Sequence, residues 1–385
     1  MSLMIRVDDY RFAARRRLPR RVFDYLDGGA GVERGLEHNL AALARIRFSP
    51  KRLVDVSTRD LSRALFHKRL PLPMVIAPTG LNGLFWPEGD IALGKAAARH
   101  GLPFVLSTAA SCSIEDVARQ VDGELWFQLY VVHRRLAEQL VRRALAAGYT
   151  TLVLTVDVVK NGIRERDLRN GFRLPLNLTP GTLWDGLTHP RWTASILRHG
   201  LPGLANFANV AKDDLEIQAA LLSRNMDASF DWDGLAWLRD VWPHRLLVKG
   251  ILSPADAAHC IKFGADGVIV SNHGGRQLDD CLSPVDVLKD IRAATHAAIL
   301  VDSGFRHGAD IAKALALGAD LVMLGRAALY GLAAHGEQGV DEVIRLMRDQ
   351  LDDTLVQIGC RAVDELGHEY LHRAPSAPAG EIATA

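Results

Sequence analysis

From residue 73 onward, short apolar runs alternate with longer segments of helical periodicity, the pattern of a parallel sheet assembled from βα units. The runs are Met74–Ala77, Pro103–Ser107, Leu125–Tyr130, Thr151–Asp157, Arg245–Lys249, Gly267–Val270, Ala298–Asp302 and Leu321–Leu324. Most are rich in Val, Leu and Ile, as strands buried on both faces must be. Several follow a Gly-containing turn (Gly148-Tyr149-Thr150, Gly264-Ala265-Asp266, Gly318-Ala319-Asp320), where glycine can end the preceding helix. Eight such units predict an α/β fold of the (β/α)8 TIM-barrel type. A six-stranded doubly wound sheet is the alternative, but no GxGxxG follows the first strand. The nearest glycine cluster, Gly28-Gly29-Ala30-Gly31, follows the helix-like Arg20–Leu26 and reads as a helix stop and turn.

Residues 1–72 are expected to form a helical cap and 73–372 the barrel, followed by a loose tail, 373–385. The interval between the fourth and fifth strands is about ninety residues, far longer than a usual βα connection, and marks an insertion at 173–230.

Composition narrows the function class. Lys and Arg number 46 against 45 Asp and Glu, so no global field favours nucleic acid. Cys112, Cys260, Cys281 and Cys360 show no metal-ligand spacing, and a reducing cytoplasm suits them. The N-terminus carries Asp8 and Asp9 without an apolar core, which argues against a signal peptide, and no unbroken apolar run is long enough for a membrane span. No metal site is expected.

In such a barrel the loops after the strands converge on the axis, and every expected strand ends in polar chemistry. In order these are Pro78-Thr79-Gly80, Ser107, Gln128 with Tyr130, Thr155 with Asp157, Lys249, His273 with Arg276, Asp302 to Gly308, and Gly325-Arg326. His273-Gly274-Gly275-Arg276 sets a base and an anion clamp on one turn, with Asp157 expected to orient the imidazole. Ser107 and Thr155 have helix capping as a competing role, and Gln128 has backbone satisfaction. Loops seven and eight, with Arg306 and Arg326, suit the phosphate of a cofactor. A Ser-His-Asp hydrolase is disfavoured because no GxSxG elbow occurs.

These segments also resemble a known family. Ser271-Asn272-His273-Gly274-Gly275-Arg276-Gln277-Leu278-Asp279, Trp126-Phe127-Gln128-Leu129-Tyr130, Thr155-Val156-Asp157 with Arg164-Glu165, and Asp24-Tyr25-Leu26 with Gly28-Gly29 are similar to the FMN-dependent L-2-hydroxy acid oxidases and dehydrogenases over roughly residues 5–370. Arg52 to Ser57, Pro78 to Gly83 and Met226 to Phe230 look most like its mandelate-oxidising branch. The resemblance implies FMN as cofactor and oxidation of an L-2-hydroxy acid, (S)-mandelate to benzoylformate, with L-lactate dehydrogenase or an oxygen-using oxidase as the alternative. A catalytically idle flavoprotein is the reading from another class, opposed by the joint presence of His273, Asp157, Arg276 and Lys249.

By the same resemblance His273 is the base with Asp157 as its partner. Arg276 and Arg164 hold the substrate carboxylate, with Tyr25 and Tyr130 on its polar atoms. Lys249 stands beside the flavin, and Pro78, Thr79, Gly80, Ser107, Gln128, Thr155, Ser271 and Asp302 contact the cofactor. Gly304, Arg306, Gly325 and Arg326 take its phosphate end.

Three positions depart from the family pattern. Gly80 stands where many relatives have alanine. Ala109 replaces the tryptophan of glycolate-oxidising relatives and leaves room for a phenyl group. His307 replaces a second arginine of the phosphate loop, with weaker FMN retention or a solvated position as the expected consequences.

Within the insertion, Arg173, Arg191, Arg198 and Lys212 accompany Asp185, Trp184, Trp192 and Phe207 over residues 173–212. A basic, aromatic stretch of this kind suits a membrane surface and a quinone acceptor, with a mobile lid as the competing role. The expected location is cytoplasmic, peripheral on the inner face of the cell membrane. The resemblance further implies a homo-oligomer, a homotetramer.

Overall fold

The computed structural model describes residues 3–172, 180–207 and 226–373. Arg173, Lys212 and the tail from residue 374 lie outside the described residues.

Eight parallel strands close into a barrel: β4 (Met74–Ile76), β5 (Phe104–Ser107), β6 (Leu125–Leu129), β7 (Thr151–Thr155), β8 (Arg245–Ile251), β9 (Gly267–Val270), β10 (Ala298–Val301) and β11 (Leu321–Leu324), with β11 pairing back onto β4. Alternation along each strand sorts its side chains into two cores. Val75, Val105, Trp126, Val153, Leu247, Ile269, Leu300 and Met323 fill the barrel interior. Their neighbours Ile76, Leu106, Phe127, Leu154, Val248 and Val268 face the surrounding helices.

Strand β8 runs two residues past its expected end and carries an irregularity. Lys249 pairs with Ile269, yet Ile251 pairs with Val270, so Gly250 is skipped. Gly250 has φ of 106°, and a Cβ there would lie 2.6 Å from Asp157 Cβ. Only glycine allows β8 to bulge past the Asp157 side chain.

The expected cap contains helices α1 (Val7–Arg17), α2 (Arg20–Asp27) and α3 (Arg34–Arg45), but also three short strands. β1 (Ile46–Phe48) pairs antiparallel with β12 (Leu371–Arg373), and β2 (Arg63–Leu65) with β3 (Lys68–Leu70). The β2–β3 hairpin closes the N-terminal end of the barrel, where Leu65, Phe66 and Leu70 pack on the interior core and Arg245 Nη2 donates to Phe66 O at 3.1 Å. Three-residue strands show too little alternation to be read locally; their pairing partners supply the order.

Helix α2 ends in a buried charge knot. Asp27 accepts from Arg11 Nε (2.6 Å) and Nη2 (2.8 Å), Arg166 Nη1 (3.0 Å) and Tyr330 Oη (2.7 Å). It fastens α1, α2, the helix Glu165–Asn170 and the helix Arg326–Ile358 to one carboxylate. The chain then turns through Gly28–Gly31 and crosses the C-terminal mouth of the barrel, Ala30 N donating to Gly275 O at 2.9 Å. A Cβ on Gly29 would lie 2.8 Å from Gly275 O, so close approach, beyond the helix stop, requires glycine.

Candidate active site

The C-terminal strand ends and the turn after α2 enclose a cavity of about 700 Å³. Of the candidates, Tyr25, Pro78, Thr79, Gly80, Ser107, Ala109, Tyr130, Arg164, Lys249, His273, Arg276, Asp302, Gly304, Arg306, Gly325 and Arg326 line it. Gln128, Thr155, Asp157 and Ser271 are close behind this wall rather than on it.

His273 follows β9 with φ of 57°, an uncommon conformation outside glycine that projects the ring from the strand end. Ser271 Oγ accepts from His273 N at 3.0 Å and from Lys249 Nζ at 2.8 Å, joining β8 and β9. His273 Nδ1 lies 2.9 Å from Asp157 Oδ1, which directs Nε2 toward Tyr130 Oη at 3.4 Å. Burial pushes the Asp157 carboxyl up, but His273 and Lys249 outweigh it and hold the group below the ordinary carboxylate range. The dyad therefore presents a carboxylate to the imidazole, which fixes the orientation of the ring.

Tyr130 is positioned by its main chain, whose N–H donates to Thr108 Oγ1 at 3.1 Å. Burial, followed by the Asp157 charge, raises its hydroxyl above the ordinary phenol range, so it serves as a neutral donor. Lys249, only 5% exposed, lies 3.2 Å from Asp302. Burial pulls its ammonium down, but Asp302 and Asp157 reverse the sign and keep it cationic.

Arg276 and Arg326 are both held by Gly28 O, each at 2.8 Å. Arg276 also donates to Tyr25 O at 2.9 Å and Arg326 to Gly274 O at 2.8 Å. Burial lowers both guanidiniums, Arg326 to about 9. Arg164 and Arg276 lie over the Tyr25 ring at 5.0 and 5.2 Å, and Phe172 stacks on that ring at 4.6 Å. Among the described residues, Arg164, Lys249, Arg276, Arg306 and Arg326 thus share a wall with one carboxylate, Asp302. Such an excess of cations calls for anionic occupants.

Among the described residues, several buried atoms find no hydrogen-bond partner: Thr79 Oγ1, Gln128 Nε2, Thr155 Oγ1, Asp157 Oδ2 and Arg326 Nε. Ser107 Oγ holds Gln128 Oε1 at 2.9 Å, so the Gln128 amide N–H groups are left over. Neither Ser107 nor Thr155 caps a helix. Orphaned polar atoms at this depth cost stability unless a ligand supplies the missing bonds. A flat heterocycle with mixed donors and acceptors and a phosphate tail meets this set, and the residues fit FMN.

Two positions take capping roles that sequence reasoning did not assign. His307 is no part of the cavity: its ring accepts from Ala309 N at 3.0 Å and, with Asp310, caps the helix Gly308–Ala316. Its solvated alternative holds, and that helix start is already satisfied by its own side chains. Asp185, the acid within the basic stretch, accepts from Arg20 N at 3.0 Å and Arg21 N at 3.4 Å at the start of α2. Cys112 is a packing residue: burial pushes its thiol up to about 12.

Sequence reasoning missed the apolar wall. Phe85, Val132, Val158, Leu201, Leu204, Phe207 and Met226 line the cavity. An apolar residue in a loop carries no local signal of what it faces.

Comparison with known proteins identifies the family. Residues 14–373 match the model of the FMN-dependent dehydrogenase family. The chain is 57% identical over 368 residues to the (S)-mandelate dehydrogenase of Pseudomonas putida, covering 96% of this chain and 94% of that protein. It is 41% identical over 373 residues to the L-lactate dehydrogenase of Pseudomonas entomophila strain L48, covering 95% and 97%. Among solved structures, a monotopic membrane protein (S)-mandelate dehydrogenase superposes with a TM-score of 0.93 at 57% identity, covering 96% of this chain and 100% of that one. The chain belongs to the FMN-dependent dehydrogenase family.

Proposed function

We propose that the protein oxidises (S)-mandelate to benzoylformate and passes the electrons to a membrane quinone. The observation that carries this reading is the convergence of the His273–Asp157 dyad, Tyr130 and two substrate-facing guanidiniums on one FMN-sized cavity with an apolar wall.

Arg276 and Arg164 hold the carboxylate of the hydroxy acid, and Tyr25, clamped between Phe172 and these guanidiniums, adds a hydroxyl donor. Tyr130 and His273 Nε2 meet the substrate hydroxyl. His273 Nε2 takes a proton from the substrate, and Asp157 stabilises the resulting imidazolium. Lys249, kept cationic by Asp302 and Asp157, would set a fixed positive charge beside the bound cofactor. Thr79, Ser107, Gln128, Thr155 and Lys249, with Gly304, Arg306, Gly325 and Arg326 at the phosphate end, would hold FMN, which when bound would supply the two-electron oxidant for the hydroxy acid. Ala109 and Gly80, with Phe85 and Leu204, leave space for a phenyl group.

Anaerobic titration with (S)-mandelate and, separately, L-lactate tests the assignment. The flavin band should bleach at much lower mandelate concentration and recover slowly in air. Preferential bleaching by lactate would favour the 41%-identical relatives' activity, and fast recovery in air would favour an oxidase.

For the membrane, helices Pro180–Thr188 and Pro190–His199 expose Trp184 (70%), Leu187 (72%) and Leu197 (82%) beside Arg191 and Arg198. Among the described residues no helix is long and apolar enough to cross a membrane. This combination supports peripheral attachment to anionic lipid, on the cytoplasmic face. Changing Trp184, Leu187 and Leu197 together to serine should weaken sedimentation with anionic vesicles by at least about tenfold. Unchanged sedimentation would remove the insertion as the contact.

A further inference from the structure

Asn206 belongs to the insertion yet is fully buried. Its Oδ1 accepts from Ile114 N at 3.0 Å, and its Nδ2 reaches Ser107 O and Thr108 O at 3.4 and 3.5 Å. Its own carbonyl accepts from Arg143 Nη1 at 2.9 Å, while that arginine is held by Glu115 through two further bonds of 2.8 Å. The preceding residue joins the same surface, Ala205 N donating to Ala110 O at 3.1 Å. The Asn206 side chain and Ala205 N therefore fasten this part of the insertion to the segment from the end of β5 to Ile114, while the Asn206 carbonyl ties it to Arg143 in the helix Arg134–Ala146.

That loop is the part of the site built from small residues. Ala109 lines the cavity, its carbonyl accepts from Leu81 N at 2.9 Å, and a Cβ on Gly80 would lie 3.1 Å from Ala109 Cβ. Around Asn206 in sequence, Leu201, Leu204 and Phe207 line the same cavity. Small residues on the barrel side and large apolar ones on the insertion side thus meet across a joint made by Asn206.

We infer that Asn206 is a positioning residue for substrate selection: it seats Leu204 and Phe207 over the Gly80–Ala109 surface and so gives the enzyme its preference for a hydroxy acid with a bulky apolar side chain. It touches neither the His273–Asp157 dyad nor the guanidiniums of Arg164 and Arg276. Its loss loosens the wall that packs on a phenyl group and leaves the carboxylate and hydroxyl contacts of every substrate in place. The inference rests on the proposed 2-hydroxy acid chemistry at His273.

The experiment compares wild type, Asn206→Ala and Leu204→Ala as FMN-loaded full-length proteins, each with (S)-mandelate and with L-lactate, under one artificial electron acceptor. Asn206→Ala should raise KM for mandelate by about tenfold, the size of effect an imperfect apolar pocket gives, with kcat for mandelate and both constants for lactate within about twofold. Leu204→Ala should show the same selective rise, and it supplies the test if Asn206→Ala does not fold. Equal losses on both substrates, or a fall in kcat with KM unchanged, would overturn the assignment. Wild type that bleaches with neither substrate would instead overturn the chemistry on which it rests.

Discussion

Replacing His273 with asparagine is expected to slow flavin reduction by (S)-mandelate by about 10³- to 10⁴-fold, the upper range for loss of a positioned general base. FMN should stay bound. The substitution removes Nε2, the atom set 3.4 Å from Tyr130 Oη by the Nδ1 contact to Asp157. Asparagine tolerates the left-handed backbone at this position better than other residues of its size, so the turn to Arg276 should survive. The residue 273 N–H can still donate to Ser271 Oγ, which keeps Lys249 in place. Stopped-flow absorbance of the FMN-loaded variant under anaerobic conditions measures the rate. Reduction within about tenfold of wild type would assign the base elsewhere, because that loss falls below the range for general-base catalysis.

The second large effect concerns stability. Asp27→Ala should cost about 3 kcal/mol, the low end for stripping a buried ion pair of one partner. The low end applies because Arg11 and Arg166 are 38% and 32% exposed and regain water, whereas Tyr330 Oη is buried. The effect depends on pH. Burial pushes the Asp27 carboxyl up, but bonds from Arg11, Tyr330 and Arg166 overcome that and hold it far below the ordinary range. A carboxyl whose folded value lies below the unfolded value of about 3.9 contributes in full above 3.9 and loses that contribution as pH falls through the folded value. Urea unfolding at pH 7 should separate wild type from variant by the full amount, and the gap should shrink below pH 4. A gap that is constant with pH, or absent at pH 7, would mean that the knot is not what ties α1 and α2 to the barrel.

The barrel was legible because its strands are buried on both faces and read as apolar runs, each ending in a polar residue that the loops gather. His273, Asp157, Arg276 and Lys249 follow from that geometry, since strand ends in register converge on one axis. What stayed hidden depends on partners distant in sequence. Asp27 gains its meaning from Arg11, Arg166 and Tyr330, and the β2–β3 hairpin from an open barrel end that only the closed sheet creates. Leu204 and Phe207 resemble any apolar loop residues until Asn206 fixes where they sit. The capping roles of Asp185 and His307 stayed hidden for a related reason: both satisfy helix N-termini, and a charge count along the chain does not register capping.

Gly250 has no functional group, yet β8 can carry Lys249 into the cavity past Asp157 only because residue 250 lacks a Cβ. A survey of natural or engineered variants that scored only acids, bases and ligand contacts would pass a change of Gly250 to alanine as silent. The added methyl would displace Asp157, the carboxylate paired with His273 and, after Asp302, a second charge that keeps Lys249 cationic, and the enzyme would fall silent with every chemically active residue intact.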